Sequence, residues 1–311
     1  MMFWTKSKKS ESSLSEIKSK LEEDIKGQEL LKRDLLLCIS DFQKYMRHSK
    51  SNLQKKNVLL IGPTGSGKTL SAQCIASILG VPSFQIDCST LVRSGYVGQS
   101  LTDCQKTFNS VCNEFYFKDS NSTKNDLADK YAVVVLDEID KLNKEGHNSG
   151  SISTTEVQNQ LLAYLGDSGF FGEMRAKNIL YIATGTFSSH YSQKNFDYAH
   201  PFSVQDACSI GFSPEIYGRF RTKIYLQKPD RATIKSYLLE DGNSPLNSIK
   251  ESLKIDGNKF EVSDDTLEKL VEITHKSELG MRGVDSIIHE ECKSICYDSL
   301  FVKGKTFSMT I

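Results

Sequence analysis

The chain has 311 residues, 38% of them hydrophobic and 25% charged, and its 39 basic and 39 acidic side chains cancel. That composition is globular rather than disordered, and the length suits roughly two domains. Zero net charge argues against a strong generic pull on nucleic acid. No apolar run approaches the roughly 18 residues of a membrane span, and the start, MMFWTKSKKSESS, is too short and too polar for a signal peptide.

In chain order, residues 13–26 read as a helix. Ser13 and Glu16 fit a capping box, and Leu14, Ile17, Leu21 and Ile25 recur at helical spacing. A second helix is expected near 28–47, then a polar joint, RHSKSNLQKKN. NVLLIG is a continuous apolar run ending in glycine, the pattern of a strand buried on both faces. The helix after it carries Leu70, Cys74, Ile75, Ile78 and Leu79; Gly80 can cap it and Pro82 stops it. SFQIDC is the next strand. Beyond SGYVGQS comes an amphipathic helix with Leu101, Cys104, Phe108, Val111, Cys112 and Phe115. Residues 118–130 read as loop, YAVVVLDEID as a buried strand ending in acids, and NKEGHNSGSIS as a flexible patch. A helix with Val157, Leu161 and Leu165 and the strand NILYIATG follow.

Strands therefore alternate with helices from about 51 to 226, the signature of an α/β fold with a parallel sheet between helices. From 228 onward the pattern is mostly helical. The expected organisation is an N-terminal helical segment (1–50), a large domain (51–227) and a smaller, mostly helical domain (228–311). The eight cysteines form no CxxC pair. Cys292 and Cys296 share a helix face but have no partner pair for zinc, so the expectation is reduced, buried thiols in a cytoplasmic protein.

GPTGSGKT, residues 62–69, is a complete Walker A sequence, and it follows a strand and opens a helix. Backbone N–H groups of Gly62, Pro63–Gly67 and the helix start (Pro63, which lacks one, excepted) can wrap phosphate oxygens, with Thr64, Gly65, Ser66 and Leu70 in the same stretch. Lys68 is placed to reach the β- and γ-phosphates, and Thr69 to give a hydroxyl to Mg²⁺. In VVVLDEID, Asp137 ends the strand and can orient the Mg²⁺ shell, while Glu138 can polarise the attacking water. The alternative is that Glu138 and Asp140 only solvate a strand end. With a full Walker A present, the reading is an ATPase whose ligands are ATP and Mg²⁺.

The DEID form, the helical segment before the Walker A strand and the small domain after the sheet resemble the AAA+ ATPases. DIKGQELLKRDL resembles the family's entry segment. GYVG at 95–98 matches the substrate-gripping pore loop of the ClpX-type protein unfoldases, SPEIYGRF at 213–220 resembles their arginine-finger segment, and GMRGVDSI at 280–287 their sensor-2 segment. The resemblance covers about residues 20–311. It implies a hexameric ring in which Tyr96 and Val97 grip a client polypeptide. It implies Arg219 as the finger reaching a neighbour's ATP, with Arg221 as the alternative, and Arg282 as the sensor-2 arginine. It further implies Thr186, or Thr184, in the sensor-1 position, and Ile25 against adenine or simply in the core.

Three departures from that family are visible. The polar N-terminus carries no four-cysteine zinc domain. IGF at 210–212 copies the protease-docking tripeptide but falls in a packed segment, and the stretch 187–205 offers no such tripeptide. GDSGFFGEMRAK, 166–177, is short and mixed in charge where the family has a longer basic loop. The expected function is an ATP-dependent unfoldase or remodeller, a homo-hexamer acting on protein clients without a barrel protease, nucleic acid or membrane. The alternatives are a AAA+ motor or loader on DNA, which the Tyr–Val loop disfavours because DNA-gripping loops carry Lys or Arg, and a nucleotide-switched scaffold.

Overall fold

The computed structural model describes residues 13–48, 52–92, 100–118, 126–142, 154–194, 200–242, 244–277 and 279–310. The chain divides into two compact units. The first comprises residues 1–24, 30–62 and 68–226; the second comprises 25–29, 63–67 and 227–311.

The first unit begins with α1 (Leu14–Asp24) and α2 (Glu29–Arg47). The capping box at the start of α1 forms: Ser13 N–H donates to Glu16 Oε2 at 2.8 Å and Glu16 N–H to Ser13 Oγ at 3.2 Å. Ile17 and Leu21 are buried as the spacing predicts, but Leu14 is 60% exposed, because it stands in the first turn beyond the packed stripe.

Next come β1 (Val58–Ile61), α3 (Lys68–Leu79), β2 (Ser83–Asp87), α4 (Cys88–Val92), α5 (Leu101–Phe117) and β3 (Ala132–Asp137). They are followed by α6 (Thr154–Leu165), β4 (Phe170–Phe171), β5 (Met174–Arg175), β6 (Ile179–Gly185), α7 (Ser188–Lys194), α8 (Val204–Ser209), α9 (Pro214–Arg219) and β7 (Thr222–Tyr225). Among the described residues five strands form one sheet in the order β2-β3-β6-β1-β7, every pairing parallel. β1 and β6 are buried along their whole length and β3 almost so, which is why their sequences run apolar without alternation. β2, at the sheet edge, alternates instead.

The core on one side of the sheet joins Leu59, Ile61, Val134, Leu136, Tyr181 and Ala183 to Phe108, Phe171 and Leu161. The short segment of mixed charge at 166–177 holds the β4–β5 hairpin. It buries Phe171 and Met174 and leaves Phe170 out. Ile210 and Phe212 are likewise buried, Phe212 to 1% exposure. None of the cysteines is disulfide-bonded. Burial pushes the Cys38 and Cys112 thiols up to about 12, so they are inert as nucleophiles. No helix of the described residues is long and apolar enough to cross a membrane.

The second unit contains α10 (Arg231–Glu240), α11 (Pro245–Ile255), β8 (Lys259–Val262), α12 (Asp264–Lys276), α13 (Met281–Glu291), α14 (Lys293–Ser299) and β9 (Thr306–Met309). Its own core gathers Ile234, Leu238, Leu253, Leu270, Val284 and Ile288. Asp230 and Ser263 cap α10 and α12 through their side-chain oxygens. β8 and β9 pair in parallel, matching Phe260 with Phe307.

Candidate nucleotide site

The parallel register brings the C-terminal ends of β1, β3 and β6 together, where open α/β sheets bind ligands. Gly62, just past β1, donates its N–H to Gly185 O at 3.3 Å. Lys68 opens α3 and its Nζ donates to Gly62 O at 2.9 Å. One residue on, Thr69 Oγ1 lies 3.4 Å from both carboxylate oxygens of Asp137. That is longer than an ordinary hydroxyl–carboxylate bond of about 2.7 Å. Two hard oxygen donors so placed have the chemistry that Mg²⁺ takes.

Asp137 is held from both sides. Thr184 on β6 donates its hydroxyl to Oδ1, and Gln85 on β2 donates from Nε2 to Oδ2 at 2.8 Å. The same Thr184 Oγ1 accepts the N–H of Glu138 at 3.3 Å. Glu138 has a φ of +54°, unusual for a residue with a side chain, and its side chain is exposed at the strand end.

Asp140 does not fit the alternative of a merely solvated strand-end carboxylate. It is 6% exposed and accepts Thr186 Oγ1 at 2.9 Å and Phe187 N–H at 3.0 Å. The two threonines left open by the sequence thus sit differently. The Thr184 hydroxyl meets Asp137 and the Glu138 backbone, whereas the Thr186 hydroxyl meets Asp140.

In the second unit, the loop tip 63–67 lies with the start of α13. Gly65 (φ +71°) and Gly280 (φ +54°) face each other so closely that a Cβ on Gly65 would stand 2.5 Å from Leu279 O, and one on Gly280 2.8 Å from Thr64 O. Arg282, the second residue of α13, is exposed. Gln28 donates from Nε2 to Ser66 O at 3.0 Å, and Ile25 is buried. Ser66 Oγ is buried with no hydrogen-bond partner among the described residues, an orphan donor of the kind a phosphate oxygen satisfies. Pro63, Thr64 and Gly67 are partly exposed.

Leu70, on α3, is 48% exposed. Arg219, the last residue of α9, is exposed, as is Arg221, which however donates to Gln54 Oε1 of its own chain. Tyr96 and Val97 lie outside the described residues. Sequence reasoning missed Gln85. Its only signal is the β2–β3 register, which pairs Asp87 with Asp137 and puts Gln85 on the same side two residues earlier.

Residues 58–197 match the family model described as "ATPase family associated with various cellular activities (AAA)". The chain is 28% identical to the ATP-dependent Clp protease ATP-binding subunit ClpX of Bacteroides thetaiotaomicron, over 95% of this chain and 79% of that protein. It is 27% identical to the protein of the same name from Bacteroides fragilis, over 95% and 79%, and to that of Borrelia duttonii, over 91% and 73%.

Proposed function

We propose, for a chain that belongs to the ClpX type of AAA ATPase and so binds and hydrolyses ATP, that hydrolysis drives the unfolding or remodelling of protein clients. The observation that carries this reading is the GYVG stretch at 95–98, in a chain of zero net charge that is similar to ClpX along nearly its whole length. Tyr96 and Val97 offer an apolar, aromatic grip that suits any polypeptide and has no affinity for phosphates. Subunits assemble into a homo-hexameric ring, and Arg219 of each reaches the ATP of a neighbour, where a fixed cation stabilises transition-state charge.

Within one subunit, Lys68 and the backbone of 62–69 hold the phosphates. Thr69 and Asp137 would hold the divalent cation, which neutralises charge on the β- and γ-phosphates. Glu138 takes a proton from the attacking water. Thr184, already hydrogen-bonded to the Glu138 N–H, is better placed than Thr186 to align that water. Arg282 reports the nucleotide to the small domain, and Ile25 lines the adenine.

The proposed machine works without a barrel protease. The relatives carry a protease in their names, but the one tripeptide here that could serve as a docking tip has both of its large side chains, Ile210 and Phe212, buried in the core.

The test is a trap. Glu138→Gln should bind ATP, fail to hydrolyse it and retain clients, which mass spectrometry would then identify. Proteins held by Glu138→Gln and lost on adding Tyr96→Ala support the remodeller. Equal capture with and without Tyr96, or capture of nucleic acid, points to the scaffold or the DNA motor.

A further inference from the structure

The last ladder pair of β3 and β6 is Leu136 with Ala183. Beyond it the two strand ends stay joined through side chains. Asp137 takes Thr184, and three residues on, Asp140 takes Thr186 together with the backbone N–H of Phe187. The β6 end is tightly determined around this second carboxylate. A Cβ at Gly185 would stand 2.6 Å from the Phe187 ring and 3.1 Å from Asp140 Oδ1. Phe187 itself is left-handed, φ +47°, with its ring buried against Phe202 and Phe212 at centroid distances of 4.6 and 5.7 Å. A backbone turned this way persists only when its surroundings hold it. Asp140 supplies that hold through charge-assisted bonds, roughly twice as strong as neutral ones.

We propose that Asp140 is a positioning residue for ATP hydrolysis. By anchoring the end of β6 it keeps Thr184 against the N–H of Glu138, and so sets where the Glu138 carboxylate points, without itself touching nucleotide. The chain of contacts is continuous: Asp140 to Thr186 and Phe187, along the backbone through Gly185 to Thr184, and from the Thr184 hydroxyl to Asp137 and Glu138. Glu138 is exposed and left-handed, so its direction rests on its backbone rather than on packing around its side chain. The inference depends on the reading of Glu138 as the group that activates water.

The experiment compares the full chain with Asp140→Ala, Asp140→Asn, Thr184→Val and the double variant Asp140→Ala/Thr184→Val, with Glu138→Gln as reference. It measures steady-state kcat and KM for ATP, the affinity for a fluorescent non-hydrolysable ATP analogue, and Tm. Asp140→Ala should lose about tenfold or more in kcat while analogue affinity stays within about threefold, since the phosphate loop is untouched. Asp140→Asn, which keeps an acceptor oxygen, should recover most of that loss. The double variant should fall little below its worse parent, because both changes act along one path. If the alanine variant does not fold, Asp140→Ser, whose hydroxyl stops short of both donors, takes its place.

Wild-type kcat in Asp140→Ala overturns the proposal. So do parallel losses of affinity and kcat, failure of asparagine to rescue, or fully additive losses in the double variant. A Glu138→Gln that hydrolyses ATP like wild type overturns the reading of Glu138 and this inference with it. An inactive Glu138→Gln beside an unaffected Asp140→Ala overturns this inference alone.

Discussion

Gln85 reaches across from an edge strand to one oxygen of Asp137 while Thr184 holds the other, so the carboxylate is aimed by two neutral donors. If Asp137 holds Mg²⁺ as proposed, these donors orient a metal ligand, and losing such a partner commonly costs about 10- to 100-fold in metal affinity. Gln85→Leu should therefore cost about tenfold in ATP hydrolysis at limiting Mg²⁺ and less at saturating Mg²⁺, as a magnesium titration of the rate would show. Lys55 belongs to a different part of the first unit. Its side chain is 1% exposed; Nζ donates to Ala176 O at 2.7 Å and sits 5.1 Å from the Tyr181 ring centroid, with Asp167 at 3.8 Å. Burial pulls its pKa from the ordinary 10.5 down to about 8, against the opposing effect of Asp167. A depressed lysine is charged in both states below the folded value, so the burial penalty is fully present at neutral pH. Between about 8 and 10.5 the unfolded chain holds the extra proton, and folding gains as pH rises. Urea melts should show wild type gaining on Lys55→Met between pH about 7.5 and about 9.5; a flat difference would refute the assignment.

At the scale of elements, the loop tip 63–67 and the start of α13 meet backbone to backbone through Gly65 and Gly280. Gly280→Ala puts a methyl 2.8 Å from Thr64 O on a left-handed backbone. It should destabilise the second unit by about 1–3 kcal/mol in chemical denaturation and weaken ATP binding in a fluorescence titration. The Walker A sequence between a strand and a helix was legible because the chemistry requires consecutive residues. So were β1, β3 and β6, whose unbroken apolar runs reflect burial on both faces. Other features depend on partners distant in the chain. The β4–β5 hairpin is supported by Asn109, whose side-chain oxygen accepts the Glu173 N–H from 64 positions away. β8 finds β9 only across three intervening helices. The resemblance favours Thr186 over Thr184 for the sensor-1 position, but both are hydroxyls near one strand end and spacing alone does not show which carboxylate each meets. Only the placement of Asp137 and Asp140 separates them.

For the whole molecule, the proposed ring makes hydrolysis a property of neighbours. Arg219→Ala should bind ATP normally yet hydrolyse it at least about tenfold more slowly. Mixing it with Glu138→Gln should restore part of the rate, since a subunit with its own Glu138 can then borrow an intact arginine from the next. A mixture as slow as its two components would show that Arg219 does not act across a subunit boundary. The facing glycines also constrain how this chain can change over generations. When two side chains collide, a replacement at one position can be accommodated by trimming the other. Gly65 and Gly280 leave nothing to trim, because each occupies with main chain the space a neighbour's methyl would need. Each glycine is therefore required in its own right, and a side chain gained at one position cannot be relieved by a change at the other.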